Sequence, residues 1–311
     1  MNNRFNRVSR KNFGKNWEKK MEISARMVKD LRDLSGAGMM DAKKALLACD
    51  GAMEEAVDWL RTKGLAKAAK KADRVASDGL IGVHASNMGA VAVEINSETD
   101  FVAKNDEFQE MVRDISIVAM NADSVESLLS KSIGEKTIED VITDKIRVIG
   151  ENLTVRRMVK IEGKNVAHYI HNSVGKGLGK LAVLVAYEGE NGDLARQVAM
   201  HIAACNPIAV SKDDLDPSLI ERERNIFAQQ AKDSGKPDNI IENMVNGRMK
   251  KYFDEVTLLS QKFVIDPEVS VKDAIEKENL KILGFKRISV GEGIEKEEEN
   301  FADEVAKTIG N

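Results

Sequence analysis

Glycines and lysines in the segment 175–180, GKGLGK, have the composition of a loop that holds phosphate groups. The segment is shorter than the GxxxxGK[ST] pattern, and apolar residues typical of a strand follow it instead of a helix. A phosphate there would face no helix N-terminus, whose free amide groups and dipole are what bind anions. We therefore interpret the segment as a turn between two strands.

The histidines and cysteines are the next candidates, for metal binding or covalent chemistry. There are six of them: His84, His168, His171, His201, Cys49 and Cys205. No HExxH or GxSxG pattern is present, and the cysteines lack CxxC spacing, so neither a zinc site nor a disulfide framework is expected. His168 and His171 are three residues apart in a predicted strand, which places them on opposite faces. These patterns predict a protein that is not an enzyme and holds no metal or cofactor.

The composition is typical of a globular protein with two or three domains. The chain has 311 residues, of which 42% are apolar and 32% charged, and a net charge of −4. This charge does not favour a general nucleic-acid binder. The longest apolar run, 181–187, is far too short to cross a bilayer. We expect a cytoplasmic protein without a membrane or nucleic-acid partner, and the sequence leaves its oligomeric state open.

The first 20 residues are basic and rich in asparagine, with Glu18 as their one acidic residue. Two interpretations stay open: an organelle transit peptide, or a disordered tail ahead of an initiator at Met21. The small number of serines and the weak amphipathic spacing favour the tail.

Residues 22–74 have helical periodicity and predict a compact three-helix bundle followed by a linker. Ser24 is placed to cap the first helix, because its hydroxyl can accept a hydrogen bond from a free amide of the first turn. Leu31 and Leu34 belong to the apolar stripe of that helix, and we expect both to pack inside the bundle.

Two further helices complete the bundle, one over about 41–49 and one that ends near Gly64. The following segment, 65–74, is rich in alanine and lysine and has little to bury, so we interpret it as a linker. An RNA-binding face is the alternative, formed by Lys67, Lys70, Lys71 and Arg74.

From Gly79 the pattern changes to the alternation of β-strands. Two strands over 80–96 precede a helix that begins at Asp106, with Gln109 at the capping-box spacing. The order of strands and helix recurs in the second half, where GKLAVLVAYEGEN matches the pattern of GAVAVEINSETD. We interpret the recurrence as an internal duplication, in which each sheet needs helices on one face.

Residues 212–256 interrupt the second copy with two polar helices that have narrow apolar stripes. They predict an antiparallel helical hairpin that projects from the core. A last helix with one apolar stripe is predicted from Phe301 to Ile309.

Several segments, in collinear order over about 21–306, resemble the elongation factor Ts family. The stretches that carry the resemblance are LRDLSGAGMMDAKKALLACDG at 31–51, SETDFVAKNDEF at 97–108, SGKPDNIIENMVNGRMKK at 234–251 and VGEGIEK at 290–296. The resemblance implies an α+β fold with an N-terminal three-helix, ubiquitin-associated-like bundle. A duplicated core with antiparallel sheets, an inserted antiparallel helical hairpin and a C-terminal helix complete the implied fold.

The resemblance also implies a function and a partner. Members of this family bind elongation factor Tu, in its GDP-bound and nucleotide-free forms, and promote GDP release by disturbing its Mg²⁺ and phosphate site. The implied contact residues at that site are Thr99, Asp100, Phe101 and Val102. Further implied contacts are Gly36, Ala37, Gly38, Met39, His171, Phe301 and Val305.

Local pattern alone suggests other roles for two of these residues. Without the family resemblance, Asp100 would be a helix cap and Phe101 a core residue, whereas the resemblance makes both of them partner contacts. An RNA- or ribosome-associated module remains the alternative function. The predicted divisions of the chain are 1–20 (tail), 21–74 (bundle and linker), 75–163 (first half of the core), 164–210 with 257–291 (second half), 211–256 (hairpin) and 292–311 (C-terminal module).

Overall fold

A computed structural model describes residues 23–35, 37–69, 71–233, 235 and 237–295. The chain divides into two compact units between Ala66 and Lys67. The predicted tail at 1–20 and the predicted helix at 301–309 lie outside the described residues.

In the described residues of the first unit there are three helices, α1 (Ala25–Ser35), α2 (Met39–Ala48) and α3 (Met53–Ala69), the last of which ends three residues past Ala66. Ser24 caps α1 as predicted, because its hydroxyl accepts a hydrogen bond from the amide of Met27 at 3.2 Å. Apolar side chains from all three helices form the core of the unit, among them Leu31, Leu46 and Leu60.

Two details of this unit differ from the sequence-based expectation. Leu34 is 71% exposed, whereas Leu31 is fully buried. At about 100° per residue, Leu34 lies roughly 240° around the helix from the buried Val28, and so off the face that packs. The third helix continues past Gly64 to Ala69, since strong helix formers follow and offset the roughly 1 kcal/mol cost of the glycine.

The second unit alternates strands and helices. Its strands are β1 (Asp78–Ser86), β2 (Gly89–Ser97), β3 (Ser132–Ile133), β4 (Lys136–Thr137), β5 (Thr154–Glu162), β6 (Asn165–His171), β7 (Leu178–Gly179), β8 (Leu181–Glu188), β9 (Lys262–Phe263), β10 (Asp266–Ser270) and β11 (Lys281–Ser289). Its helices are α4 (Asp106–Ala119), α5 (Val125–Leu129), α6 (Ile138–Ile149), α7 (Gly192–Cys205), α8 (Pro217–Lys232), α9 (Asp238–Val256) and α10 (Val271–Lys277).

The first sheet has the antiparallel order β5-β2-β1-β7. One face of its central strand β2 presents Val91, Val93 and Ile95 to a core that includes Phe108 and Ile115 of α4. From Val91 to Ile95, every second residue of β2 is therefore an apolar residue that faces the helices, as expected for a strand whose side chains point alternately to the two faces.

The second sheet has the antiparallel order β11-β8-β6, and α7 and α10 cover one of its faces. In each sheet one strand, β2 or β8, pairs with an earlier strand, β1 or β6, and with a later one, β5 or β11. The next α-helix along the chain, α4 or α7, follows that strand. This shared order is that of a duplicated α+β core with antiparallel sheets, and the predicted α+β class is confirmed.

The faces that the helices leave uncovered pack against each other. Ile81, Ala90 and Ala92 of the first sheet share one buried cluster with Leu184 and Ile288 of the second. As a result β2 is buried along its whole length, on both faces. The sequence had indicated helices on one face of each sheet, and the structure adds the other sheet as the cover of the second face.

Helices α8 and α9 form an antiparallel hairpin with its own small apolar cluster, in which Ala231, Val245 and Met249 are buried. The chain leaves the core and returns to it at adjacent points. The carbonyl of Val256 accepts a hydrogen bond from the amide of Ile208 at 2.8 Å, and the backbone of Thr257 pairs with that of Ala209.

Candidate functional site

The loop that carries the implied contact residues connects β2 to α4. Val102 and Ala103 are buried, and with Lys104 they form a single turn of 3₁₀ helix. Asn105, not Asp106, caps α4, because its side-chain oxygen accepts a hydrogen bond from the amide of Phe108 at 3.0 Å. The capping prediction was thus wrong by one residue, since asparagine and aspartate both supply the side-chain oxygen that a cap needs.

Phe101 projects from this loop into solvent, with 75% of the residue exposed. Lys104 covers one part of its ring, with the ammonium nitrogen 5.4 Å from the ring centroid. The same ammonium lies 3.2 Å from the carboxylate of the exposed Asp100. The local interpretation of Phe101 as a core residue was wrong. Since an exposed aromatic ring gains hydrophobic stabilisation only from a partner, this position is the strongest binding feature of the loop.

Thr99 is tied to a distant part of the chain. Its amide donates a hydrogen bond to Glu151 Oε2 at 2.9 Å, and its hydroxyl donates to Glu151 Oε1 at 2.6 Å. Glu151 follows Gly150, the left-handed residue that ends α6. Sequence reasoning missed Glu151, because the two residues are 52 positions apart and no local pattern indicates the contact.

The segment after α3 contacts the same part of the second unit. The side-chain amide of Asn152 donates to the carbonyl of Arg74 at 2.8 Å, and Lys71 donates to the carbonyl of Gly150. Arg74 also forms an ion pair with Glu98 at 3.3 Å. Two of the four basic residues in the RNA-binding alternative, Lys71 and Arg74, therefore have partners within the protein.

His171 is the last residue of β6 and is exposed. Its Nδ1 lies 3.0 Å from the hydroxyl of Tyr169. The following turn brings Gly175 beside Gln109 and Arg113 of α4. Among the described residues no hydrogen bond, ion pair or ring contact joins His171 to the Phe101 loop.

The implied contact residues of the first unit surround the start of α2. Ala37 is buried, Gly38 precedes the helix in an extended conformation, and Met39 is 48% exposed. Leu34 and Met40 are exposed nearby in the chain. Gly36, Phe301 and Val305 lie outside the described residues, and their implied roles stay predictions.

The buried His201 is a structural residue rather than a catalytic one. Its Nδ1 accepts a hydrogen bond from the amide of Val264 at 3.1 Å, so the proton of the neutral ring is on Nε2, which lies 2.8 Å from Gln261 Oε1. Burial lowers the pKa of His201, and the hydrogen bond to Gln261 offsets this in part. Both ring nitrogens are thus occupied in holding the segment before β10.

The described part of the chain contains no group of three or more side chains that could hold a metal ion. Within that part, none of the helices combines the length and the apolar character needed to cross a bilayer. What the described surface offers is an exposed aromatic residue on a restrained loop, together with exposed apolar residues on α1 and α2. This arrangement suits protein binding.

Comparison with known proteins identifies the family of the chain. The model of the elongation factor TS family matches residues 98–292. The chain is 55% identical to elongation factor Ts of Dinoroseobacter shibae over 289 residues, which are 93% of this chain and 99% of that protein. It is 57% identical to elongation factor Ts of Cereibacter sphaeroides over 296 residues, again 93% and 99% of the two chains. The chain therefore belongs to the elongation factor Ts family, as the sequence resemblance had indicated, and is a translation elongation factor and not an enzyme.

Proposed function

We propose that this protein binds elongation factor Tu in the cytoplasm and promotes the release of GDP from it. The observation that carries the proposal is the exposed ring of Phe101 on a loop that is anchored at both ends. Burial of Val102 fixes one side of the loop, and the hydrogen bonds of Thr99 fix the other. An aromatic ring held in this way loses little conformational entropy when a partner covers it.

The mechanism requires no bond chemistry in this protein. Phe101 and Asp100 engage the partner next to its nucleotide site and disturb the bound Mg²⁺. Because Mg²⁺ offsets the charge of the phosphates, its displacement weakens GDP binding. The factor binds the nucleotide-free partner more tightly than the GDP-bound partner. By thermodynamic linkage, its binding lowers the affinity of the partner for GDP by the ratio of those two affinities. GTP then fills the site and the factor dissociates.

The Phe101→Ala variant tests the proposal. Truncation of an exposed aromatic anchor at the centre of an interface costs about 2 kcal/mol or more, which corresponds to about a 30-fold slower release at sub-saturating factor. The measurement is the rate at which a fluorescent GDP analogue leaves purified elongation factor Tu. The thermal stability of the variant should match that of the native protein, because the ring contributes little to the core.

Met88→Ala is the matched control. Met88 is 68% exposed in the turn between β1 and β2, at the opposite end of β2 from Phe101. This variant should release the analogue at the native rate. A native protein that leaves the release rate unchanged would contradict the proposal, and equal rates for native protein and Phe101→Ala would contradict the role of the ring.

A further inference from the structure

We infer that Glu151 is a positioning residue for nucleotide exchange: its carboxylate fixes the backbone that presents Phe101 to the partner. The inference rests on the proposed function. It adds to the proposed function a residue that acts without contacting the partner itself, through the distant loop that carries Phe101.

The Phe101 ring cannot fix its own position. Phe101 is 75% exposed, and the contact that the structure gives its ring is with the ammonium group of Lys104, which belongs to the same loop. The backbone around Phe101 therefore sets the position from which the side chain projects, and so the positions that the ring can reach. On its C-terminal side that backbone is held by the buried Val102 and by a hydrogen bond from the amide of Lys104 to the carbonyl of Phe101 at 3.1 Å.

On the N-terminal side, Glu151 holds Thr99 from a distant part of the chain. One carboxylate oxygen accepts from the amide of Thr99 at 2.9 Å and the other from its hydroxyl at 2.6 Å. A bidentate contact fixes orientation as well as distance. The remaining bond to Thr99, from the hydroxyl of Ser97 to its carbonyl at 2.9 Å, ties Thr99 to the end of β2, two residues away. It acts on the carbonyl of Thr99 and leaves its amide and hydroxyl to Glu151.

A second contact runs in the opposite direction. Glu98 Oε1 accepts a hydrogen bond from the amide of Asn152 at 2.6 Å. The segments 98–99 and 151–152 thus each supply a carboxylate that accepts a hydrogen bond from a backbone amide of the other. Of these two contacts, the one between Glu151 and Thr99 lies nearer to Phe101 in the chain. Hydrogen bonds to charged groups are the stronger class, so this pairing has the strength to hold an exposed loop.

Kinetics and hydrogen exchange together test the inference. The variants are Glu151→Ala, which loses both bonds, Thr99→Val, which loses the hydroxyl bond, and Thr99→Ser, which keeps both. Release of the fluorescent GDP analogue from elongation factor Tu should be about tenfold slower with Glu151→Ala and less affected with Thr99→Val. Thr99→Ser, which restores the hydroxyl, should release the analogue faster than Thr99→Val. The control is Glu188→Ala, which removes an exposed carboxylate that bonds Lys281 at 3.4 Å on the second sheet.

The Glu151→Ala and Phe101→Ala changes are also combined. If Glu151 acts through Phe101, the double variant is no slower than Phe101→Ala alone, because a misplaced ring and a missing ring lose the same contacts. Hydrogen exchange of the peptide over 98–104 should be faster in Glu151→Ala and native in Glu188→Ala. Circular dichroism shows whether each variant is folded, and Thr99→Val retains the test if Glu151→Ala is not.

Three outcomes would overturn the inference: a native release rate for both Glu151→Ala and Thr99→Val, a double variant slowed by the full product of the two single effects, or unchanged hydrogen exchange at 98–104. If the native protein itself fails to accelerate release, the proposed function is overturned instead. The exchange of amide hydrogens then still decides whether Glu151 fixes the loop.

Discussion

At the scale of single residues, Glu94 is the most unusual feature of the second unit. It is fully buried on the face of β2 that packs against the second sheet. Arg157 Nε lies 2.5 Å from its carboxylate and Arg156 Nη1 3.2 Å from it, while the amide of Gly291 donates at 2.8 Å. Successive strand residues normally point to opposite faces. A register shift in β5 opposite Glu94 and Ile95 allows two consecutive arginines to reach one carboxylate.

This arrangement predicts a specific pH dependence of stability. Burial would raise the pKa of Glu94, but the hydrogen bonds from Arg157 and Gly291 and the charge of Arg157 outweigh burial, and the pKa lies below its ordinary value of 4.5. A carboxyl with a lowered pKa in the folded state stabilises the fold above its unfolded pKa and loses that contribution as the pH falls. We therefore expect the midpoint of thermal unfolding to fall as the pH is taken below about 4.5 and through the lower folded value.

The Glu94→Gln variant isolates this contribution. It should be less stable than the native protein at pH 7 by about 2 to 3 kcal/mol, because the arginines lose their buried partner. Its unfolding midpoint should also fall less steeply between pH 5 and pH 3, the range around the ordinary glutamate pKa of 4.5. The comparison is with Glu188→Gln, whose carboxylate is exposed. Parallel pH profiles for the native and Glu94→Gln proteins would rule out the assignment.

Elements with a clear hydrophobic period were predictable from the sequence, and their junctions were not. The alternation in AVAVEIN predicted β2, and the stripe that contains Phe108 and Ile115 predicted α4. The start of α4 at Asp106 was predicted, but its cap was placed one residue late, because Asn105 and Asp106 are both good caps and only the hydrogen bond distinguishes them. Phe101 was misplaced by the local pattern for a related reason: a phenylalanine beside a buried valine has the same pattern whether it points inward or outward.

The hairpin of α8 and α9 gives a prediction at the element scale. Since the chain leaves and re-enters the core at paired backbone positions near Ala209 and Thr257, the hairpin is expected to be removable. Replacing residues 213–254 with a flexible linker of about six Gly and Ser residues should leave the unfolding midpoint of the remaining protein within about 5 °C of the native value. The replacement retains Glu255, whose carbonyl accepts from Gln261 Nε2 at 2.6 Å.

Differential scanning calorimetry with circular dichroism provides the measurement, with the native protein scanned alongside. A shortened protein without a cooperative transition would show that the core depends on the hairpin. We expect the shortened protein to keep a cooperative transition, because the hairpin contacts the core through segments next to its two ends.

At the scale of the whole second unit, the two sheets pack face to face with helices on the outer sides. Small residues make this contact close: Ala90, Ala92 and Ala182 are fully buried between the sheets. The sequence did not predict the contact. Alanine is as common in helices as in buried strands, and its presence does not indicate which face of a strand is covered. The duplication was recognisable, whereas the way in which the two copies cover each other was not.

The Ala92→Leu variant tests how tightly the sheets pack. Ala92 is fully buried and pairs with Val83 and Val159 on the neighbouring strands. Added methylene groups in a packed core cost about 1 to 3 kcal/mol, and urea unfolding should show a loss of that size. Ala85→Leu, at the exposed end of β1, should change the stability by less than about 0.5 kcal/mol. A similar small loss in both variants would indicate space between the sheets.

The late completion of the inter-sheet contact has a consequence for the synthesis of the protein on the ribosome. Strands β1, β2 and β5 are complete once Glu162 has emerged, but β11, which carries Ile288, ends at Ser289. The interval of about 130 residues corresponds to roughly 6 to 25 s at common rates of translation. During that time the nascent chain carries an apolar sheet face without its final cover, and β8 can shield it only in part. The hairpin is translated within this interval and lengthens it, so we expect the nascent chain to expose this apolar face for longer than a chain without the hairpin would.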